Sequence, residues 1–356
     1  MRKAFSILLT VAFVLSFTAC AKSAKAAELR VDIFLYDLSD AYISNIREQM
    51  ETRFSDLQVA LTFHDGMNDQ SVQSQQVEDA VADGTDLLII NIVSPESVDA
   101  SLNMIRLAQH DDIPIIFFNR EISSGIVNSY AKCAYVGTNP DDASILQGQL
   151  IFMLLKDNYA AHDVNGDGEI SYIMFRGELA NEEANSRTLH AVQHANELLA
   201  TLDLPKLKYY DPDNPDCFEI CDWKRELSKS AMQKALESHP FTGNSPIELV
   251  IANNDEMALG AIEALQEVGY NESKDKKILV VGIDATPQAL AAIDTNQMSG
   301  TIKQDANGMA TVIVFLVQNI LNGEPLMNNA ETRYSVDSDA AKIRVRKTHS
   351  IMLAPS

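Results

Sequence analysis

Apolar runs alternate with amphipathic stretches along almost the whole chain. The segments DLLIINIV (86–93) and IPIIFFN (113–119) are nearly continuous in apolar residues, whereas 71–84 has helical spacing and ends in Gly. Apolar strands separated by helices are typical of parallel βαβ units. The pattern predicts strands over 29–36, 56–65, 86–93, 113–119, 170–176, 207–210, 247–253 and 277–284, and helices over 41–54, 71–84, 95–109, 141–158, 183–200, 223–238, 255–268 and 286–296.

The alternation of strands and helices starts again after residue 139. Two tandem parallel α/β halves explain this better than one large sheet, and a length of 356 residues also indicates about two domains. The late segments 301–320 and 339–353 are expected to cross back between the halves, because the strand-like IRV at 343–345 needs a neighbour. We therefore predict an α/β protein with two Rossmann-like lobes, each built on a parallel sheet.

The N-terminus carries an export signal. Arg2 and Lys3 precede a short apolar stretch (4–17), and Phe17-Thr18-Ala19-Cys20 resembles the box at which bacterial lipoproteins are cut and lipidated on Cys. We predict a lipoprotein signal peptide over 1–19, lipidation at Cys20 and a tether over 20–28. The protein would then be periplasmic and anchored to a membrane. The alternative is ordinary cleavage nearby, with Cys20 unmodified.

Charge and cysteine content narrow the set of partners. The formal net charge of −22 argues against nucleic acid or an anionic membrane surface as a partner. Contact with the membrane is therefore expected through the lipid anchor only. Cys217 and Cys221 are four residues apart in an exported chain, so a small disulfide loop between them is an open alternative, and Cys133 is expected to be a buried thiol.

Polar side chains collect where the predicted strands end. Ligands of open parallel sheets bind at the carboxyl ends of the strands, and amides, carboxylates and arginines match sugar hydroxyls, which both donate and accept. Tyr42 and the only tryptophan, Trp223, could pack against the C–H faces of a sugar. The alternatives are helix N-caps for Asp40, Asn181 and Asp255, and a core or rim position for Trp223.

The segment DVNGDGEIS (163–171) matches the front of a calcium-binding loop. Side-chain oxygens of Asp163, Asn165 and Asp167 alternate, Gly168 follows for the turn, the Glu169 carbonyl comes next, and Ser171 occupies the ninth position. An EF-hand has a bidentate Glu at position 12, but this chain has Met174 there. Either another part of the chain supplies the missing carboxylate, or the segment is only a surface turn rich in Asp, Asn and Gly.

Several stretches together resemble the periplasmic galactose/glucose-binding proteins of bacterial ABC uptake systems, which are periplasmic binding proteins of type I. They are NDQSVQSQQV (68–77), IINIVSPE (89–96), IPIIFFNRE (113–121), YVGTNPDDASILQGQL (135–150), DVNGDGEIS, VIANNDEMALGAIEAL (250–265) and VVGIDATPQALAAI (280–293). The resemblance covers nearly the whole mature chain. It implies two hinged lobes that close on one monosaccharide, with hinge crossings near residues 139, 304 and 340. The N-terminal lobe would comprise 29–138 plus 305–340, and the C-terminal lobe 139–304 plus 341–356.

The resemblance also implies the ligand contacts. The family's sugar-binding positions fall on Asp40, Tyr42, Asn119, Asn181, Glu183, Arg187, Trp223, Asn254, Asp284 and Gln304. Four of them differ from the usual residue: Tyr42 replaces Phe, Asn181 replaces His, Glu183 replaces Asp and Gln304 replaces Asn. The choice between glucose and galactose therefore stays open. The resemblance places the missing calcium ligand on Glu248 and puts Ser171 where Gln is usual, so a structural Ca²⁺ is expected.

These features favour a solute-binding lipoprotein that captures D-glucose and/or D-galactose and delivers it to an ABC permease. A sensor that presents the bound hexose to a chemoreceptor would use the same chemistry. An enzyme such as a glycosidase could use Asp40 and Asp284 as paired carboxylates, but the chain shows no nucleophile elbow, phosphate loop or metal-plus-base motif. We therefore expect a binding protein and not an enzyme.

Overall fold

A computed structural model describes residues 28–241, 243, 245–272, 276–345 and 350–353. The predicted signal peptide (1–19), the lipidation site Cys20 and the tether up to residue 27 lie outside the described residues. The described chain forms two sheets with helices on both faces, which confirms the predicted two-lobed α/β fold. Among the described helices, none combines the length and the apolar character that a membrane span requires.

The strands are short and the helices carry most of the length. The strands are β1 (Leu29–Leu35), β2 (Val59–Asp65), β3 (Leu87–Ile90), β4 (Ile115–Phe118), β5 (Cys133–Gly137), β6 (Ile170–Arg176), β7 (Leu207–Tyr209), β8 (Glu219–Ile220), β9 (Leu249–Ala252), β10 (Leu279–Asp284), β11 (Gly300–Lys303), β12 (Ser335–Val336), β13 (Lys342–Arg344) and β14 (Ser350–Leu353). The helices are α1 (Ala41–Phe54), α2 (Gln70–Ala82), α3 (Val98–His110), α4 (Ser124–Val127), α5 (Pro140–Leu155), α6 (Tyr159–His162), α7 (Glu182–Ala200), α8 (Arg225–Ser238), α9 (Asp255–Glu267), α10 (Pro287–Asp294), α11 (Ala306–Leu321) and α12 (Ala330–Arg333).

The first lobe is built on a sheet with the strand order β12-β13-β5-β4-β3-β1-β2. All its pairs are parallel except β12 with β13 at one edge. Strands β3 and β4 are completely buried, as their continuous apolar sequence predicts. Helices α1 and α11 cover one face and helices α2 and α3 lie against the other, so two apolar cores sandwich the sheet.

The second lobe repeats this architecture with the order β14-β11-β10-β9-β6-β7, and β8 pairs with β6. Its central pairs are parallel, and β14 joins β11 antiparallel at the edge. Helices α8 and α9 pack on one face, while α5 and α7 pack on the other. In both sheets, the carboxyl ends of the parallel strands lie at the region between the lobes.

The last crossing between the lobes lies later than predicted. The first falls between Gly137 and Pro140 and the second between Lys303 and Ala306, but β13 pairs in parallel with β5 and so belongs to the first sheet. The assignment of 341–356 to the C-terminal lobe was therefore wrong at its start, since only β14 lies in the second sheet. The physical reason is burial: Ile343 is fully enclosed in the core of the first lobe.

Cys217 and Cys221 are free thiols, so the structure does not contain the disulfide that the sequence left open. Cys221 is fully buried in the core beneath α8 and α9, whereas Cys217 packs on the core at the opposite face of the sheet. A disulfide requires the two side chains to point toward each other, and these two point to different cores. Cys133 is buried as expected, and burial raises the pKa of its thiol to about 12.

Helices α5 and α7 approach closely through Gly148. A Cβ atom at this position would lie 2.8 Å from the carbonyl oxygen of Ala191 and 2.9 Å from the Cβ of His194. Gly125 offers a matched comparison, because a Cβ atom there would have no neighbour within 4 Å.

We predict that Gly148→Ala lowers the free energy of unfolding by about 1–3 kcal/mol, because the two helices must move apart to admit one methyl group. Gly125→Ala should change it by less than about 1 kcal/mol, in the stabilising direction. Denaturant titrations of both variants and the parent protein measure this. Equal midpoints for the two variants would show that α5 and α7 do not depend on the small residue.

Candidate functional site

A cavity of about 450 Å³ lies between the lobes at the carboxyl ends of the strands. The structure brings together all ten predicted sugar-binding residues, since each of them lines this cavity: Asp40, Tyr42, Asn119, Asn181, Glu183, Arg187, Trp223, Asn254, Asp284 and Gln304. Their role as ligand contacts stays a prediction. The volume falls in the range of small-molecule sites, which runs from roughly 300 to 1,000 Å³.

Three of these residues also cap helices. Asp40 caps α1 and accepts hydrogen bonds from the backbone amides of Tyr42 (2.8 Å) and Ile43 (3.0 Å). Asn181 caps α7 and Asn254 caps α9 in the same way. The capping alternative is thus true of Asp40 and Asn181 but does not exclude a place at the cavity. Because the helices begin at the cavity, their positive N-terminal ends point toward it.

Asp255 has a structural position instead. It is the first residue of α9, next to the cap, and is fully buried. Its carboxylate accepts hydrogen bonds from the hydroxyl of Thr301 (2.6 Å) and the backbone amide of Thr286 (2.8 Å). These bonds join α9 to the strand and loop beside it and thereby support the neighbouring Asp284.

Arg187 is a buried arginine held from two sides. Its Nη1 donates to the backbone carbonyl of Asn253 at 2.8 Å, and its Nη2 donates to Glu183, one helical turn earlier, at 2.5 Å. Only 3% of the side chain is exposed, and the guanidinium carbon lies 5.6 Å from the centroid of the Trp223 ring. All these partners belong to the second lobe, so that lobe can position Arg187 by itself.

Several cavity residues adopt backbone conformations that side chains seldom take. Asn119 has φ 61°, Trp223 has φ 67° and Asp284 has φ 128°. Such conformations cost of order 1–3 kcal/mol for residues other than glycine, and they concentrate at functional sites. The left-handed turn at Trp223 also explains why α8 starts at Arg225 and not at the predicted 223. The indole packs on the backbone of Gly177, where a Cβ atom would lie 2.3 Å from the ring.

Four buried polar atoms at the cavity have no hydrogen-bond partner among the described residues. They are the hydroxyl of Tyr42, the Nε of Arg120, the Nε of Arg187 and the Oε1 of Gln304. Each of these side chains is at least nine-tenths buried. A buried donor or acceptor without a partner costs about 1–3 kcal/mol, so this cavity is suited to a ligand that supplies both donors and acceptors.

The two aspartates of the cavity come from opposite lobes. Burial raises the pKa of the Asp40 carboxyl, against the lowering effect of the Tyr36 hydroxyl, which donates to it at 2.6 Å. Burial also raises the pKa of Asp284 well above its ordinary value, while the Arg187 guanidinium opposes this. The Gln304 amide donates to Asp284 at 2.6 Å. Hydrogen-bond donors on a ligand would offset the loss of water around these carboxyls.

The ten predicted contacts leave out other cavity residues, notably Tyr36, Arg120, Tyr135 and Lys342. Tyr36 and Arg120 follow the strands β1 and β4, where the strand-end rule expects ligand contacts. Tyr135 lies within β5, which the pattern did not predict, and its hydroxyl donates to the backbone carbonyl of Asn119 at 2.7 Å. Lys342 lies in β13, a three-residue strand that the sequence pattern assigned to the other lobe.

The comparisons with known proteins agree with this geometry. The sequence model of the family described as "Periplasmic binding protein domain" matches residues 31–325. The chain belongs to this family. It is 31% identical over 324 residues to the D-galactose/methyl-galactoside binding periplasmic protein MglB of Haemophilus influenzae, a match that covers 90% of each chain.

Two further relatives show the range of the family. The ribose import binding protein RbsB of Escherichia coli is 24% identical over 331 residues, which cover 93% of this chain and 96% of that protein. A solved ABC transporter solute binding protein from Bacillus halodurans, with bound myo-inositol, has a TM-score of 0.69 at 24% identity, over 93% of this chain and 96% of that one. The chain is accordingly a periplasmic solute-binding protein of the transport type, not an enzyme.

This periplasmic binding protein has an acidic loop at 163–171, which leads into the amino end of β6. Gly168 has φ 88°, the left-handed turn that the sixth position of a calcium loop requires. The carboxylate of Asp163 accepts hydrogen bonds from the backbone amides of Asp167 (3.1 Å) and Gly168 (2.8 Å). The Glu169 side chain pairs with Lys208 at 2.8 Å.

Glu248 closes the loop from the next strand in the sheet. One oxygen accepts from the backbone amide of Val164 at 2.6 Å, and the other accepts from that of Ser171 at 2.8 Å. Only 3% of Glu248 is exposed, and burial raises the pKa of its carboxyl, with the charge of Asp163 adding to this. Within the described residues, no group of three or more His, Cys, Asp or Glu side chains is arranged to hold a metal ion.

Proposed function

We propose that the protein captures D-glucose and/or D-galactose between its lobes in the periplasm and delivers it to an ABC sugar permease. The observation that carries the proposal is a set of buried polar atoms at one cavity, on Tyr42, Arg187 and Gln304, that have no hydrogen-bond partner within the described part of the chain. A hexose presents hydroxyls around its whole ring, and each hydroxyl both donates and accepts. The relative from Haemophilus influenzae, named for galactose, supports a hexose.

Two features support a pyranose ring in particular. Tyr42 and Trp223 come from opposite lobes and both line the cavity, so their faces can enclose the C–H surfaces of a ring. The carboxyls of Asp40 and Asp284 supply acceptors from the two sides. Presentation of the bound hexose to a chemoreceptor would need no other site, and it stays a prediction.

We predict that the purified protein binds glucose or galactose with a Kd of roughly 1 μM or tighter, which corresponds to a binding free energy of about 8 kcal/mol. Ribose and myo-inositol should bind more weakly.

Trp223→Ala should weaken hexose binding by about 2 kcal/mol, because one stacking face is lost, and Trp223→Phe should lose less binding free energy. Calorimetric titration measures both, and fluorescence of the single tryptophan should change on binding. A stable protein that binds no hexose would refute the proposal.

We infer that the loop 163–171 and Glu248 hold one structural Ca²⁺. Asp163, Asn165, Asp167, Ser171 and the Glu169 carbonyl would supply oxygen ligands, and Glu248 would replace the carboxylate missing at Met174. The support is the buried Glu248 carboxylate, which lies against both ends of the loop without a cationic side chain as a partner among the described residues. A bound ion would join β6 and β9 across the loop and stabilise the second lobe.

We predict that chelation lowers the melting temperature of the protein and that added Ca²⁺ restores it. Calcium at about 100 times its Kd stabilises the folded protein by roughly 2.7 kcal/mol, which raises the melting temperature by about 5 °C or more. Glu248→Gln should lose most of this response, whereas Glu237→Gln, which removes one exposed charge from α8, should keep it. Melting curves that coincide with and without chelator would show that the loop is only an acidic turn.

We also propose that Cys20 carries a lipid that anchors the protein to a membrane, on the support of the Phe17-Thr18-Ala19-Cys20 sequence and the apolar stretch before it. Cys20→Ser should move the protein from the membrane fraction to the soluble periplasmic fraction and abolish incorporation of labelled fatty acid. Equal incorporation in parent and variant would place the modification elsewhere or exclude it.

A further inference from the structure

The acidic and basic side chains of the cavity do not balance. Among the described residues, three cationic side chains line the cavity, and each already has a carboxylate partner: Arg120 with Glu178, Arg187 with Glu183, and Lys342 with Glu121. Further carboxyl groups line the cavity without an ion-pair partner in the described part of the chain. They are Asp40, Glu96, Glu182 and Asp284. The cavity therefore carries more acidic groups than its own cations can neutralise.

Among these four carboxyl groups, that of Asp284 is the most shielded from water. Glu96 and Glu182 are exposed, and Asp40 is half-buried and accepts a hydrogen bond from the Tyr36 hydroxyl at 2.6 Å. Asp284, the last residue of β10, is only 8% exposed. Removing a carboxylate from water without an ion-pair partner is costly. A cationic ligand group would therefore gain most at Asp284.

Charged groups face Asp284 from three helices. Burial raises the pKa of its carboxyl well above the ordinary value. The Arg187 guanidinium on α7 opposes this rise in pKa, whereas the carboxyls of Asp255 on α9 and Asp40 at the start of α1 add to it. The nearby acidic groups thus outnumber the one nearby cation. A further cation at Asp284 would lower its pKa and keep it ionised.

Gln304 provides a second acceptor beside Asp284. Its amide nitrogen donates to the Asp284 carboxylate at 2.6 Å, while its Oε1 is buried and has no hydrogen-bond partner in the described part of the chain. Both residues line the cavity, and only 4% of Gln304 is exposed. A ligand group at this place therefore meets acceptors on two adjacent side chains. A hydroxyl has one hydrogen to donate, whereas a primary ammonium group has three and accepts none.

We propose that the cavity also captures aminohexoses, in which a protonated primary amine replaces one hydroxyl, and that Asp284 and Gln304 bind the ammonium group. The inference rests on the proposed sugar-binding function and adds a class of ligand to it. The ammonium donates one hydrogen to the Asp284 carboxylate and another to Oε1 of Gln304. A hydroxyl at this place can satisfy only one of the two acceptors, and it lacks the charge that strengthens the bond to a carboxylate.

The charge of the ligand has a measurable consequence. An ammonium group stabilises the ionised form of Asp284, so a protein molecule in which Asp284 is protonated must release that proton when it binds an aminohexose. Affinity for the aminohexose should therefore fall as the pH is lowered through the pKa of the free protein's Asp284. A neutral hexose should release fewer protons, because a hydroxyl can donate to the carboxylate and can also accept from the protonated carboxyl.

The test compares glucose and galactose with their monoaminodeoxy derivatives, one for each hydroxyl position. Calorimetric titrations at several pH values, in buffers of different ionisation enthalpy, measure both the affinity and the number of protons released. Below the pKa of the ligand amine, we expect one position of the amine to bind about tenfold more tightly than the hydroxyl that it replaces. Its binding should release protons that binding of the parent hexose does not.

Two variants test the assigned residues. Asp284→Asn removes the charge and keeps the size of the side chain, so it should lower the ratio of aminohexose affinity to hexose affinity about tenfold and abolish the proton release. Gln304→Met removes the neighbouring acceptor and should lower the same ratio by less. Glu96→Gln is the matched control, because it removes an exposed carboxylate, and it should keep both the ratio and the proton release of the parent protein. Thermal melting without sugar checks that each variant folds.

The outcomes separate this inference from the proposed function. If a neutral hexose binds but every aminohexose binds no better and releases no protons, the inference is overturned and the hexose function stands. A preference for the amine that persists in both Asp284→Asn and Gln304→Met would also overturn it. If an aminohexose binds but neither glucose nor galactose does, the hexose function falls while the inference is supported. If no sugar of either class binds, both fall.

Discussion

The cost of removing charge from water controls the arrangement of the cleft. Arg187 and Asp284 are at least nine-tenths buried, and they lie among further charged groups from both lobes. Such groups stay charged at acceptable cost only when hydrogen-bond donors, acceptors or opposite charges surround them. The second lobe meets part of this requirement through the Glu183–Arg187 pair and the Gln304–Asp284 hydrogen bond. A polar ligand in the cavity can meet the remainder with its own donors and acceptors.

The parallel sheets make this concentration of polar groups compatible with stable cores. Apolar side chains fill β3, β4 and β9 along their whole length, and polar residues begin where these strands end. Helix N-termini then begin within a few residues, so Asp40, Asn181 and Asn254 use one oxygen for a cap and still reach the cavity. The unusual backbone at Asn119 and Asp284 is the cost of turning side chains inward at strand ends.

The sequence predicted the parts that follow from local pattern. Alternating apolar strands and helices indicated both lobes, and the strand-end rule with the family resemblance located all ten predicted cavity residues. What it could not predict depends on long-range packing. The strand at 342–344 is too short for its pattern to choose a sheet, and only burial of Ile343 beside β5 decides its lobe. The Arg120–Glu178 pair joins strand ends 58 residues apart in the chain, a distance over which periodicity carries no information.

The position of β13 has a consequence for how the lobes can move. Arg344, its last residue, donates to the carbonyl of Thr138 at 3.0 Å and pairs with Glu121 at 2.7 Å. Thr138 lies in the first crossing, and Val345, which follows Arg344, donates its backbone amide to the carbonyl of Gly137 at 2.7 Å. The start of the first crossing is therefore held on β13 from both sides. A hinge in this crossing would have to use the backbone dihedrals between Thr138 and Pro140, where the helix α5 begins.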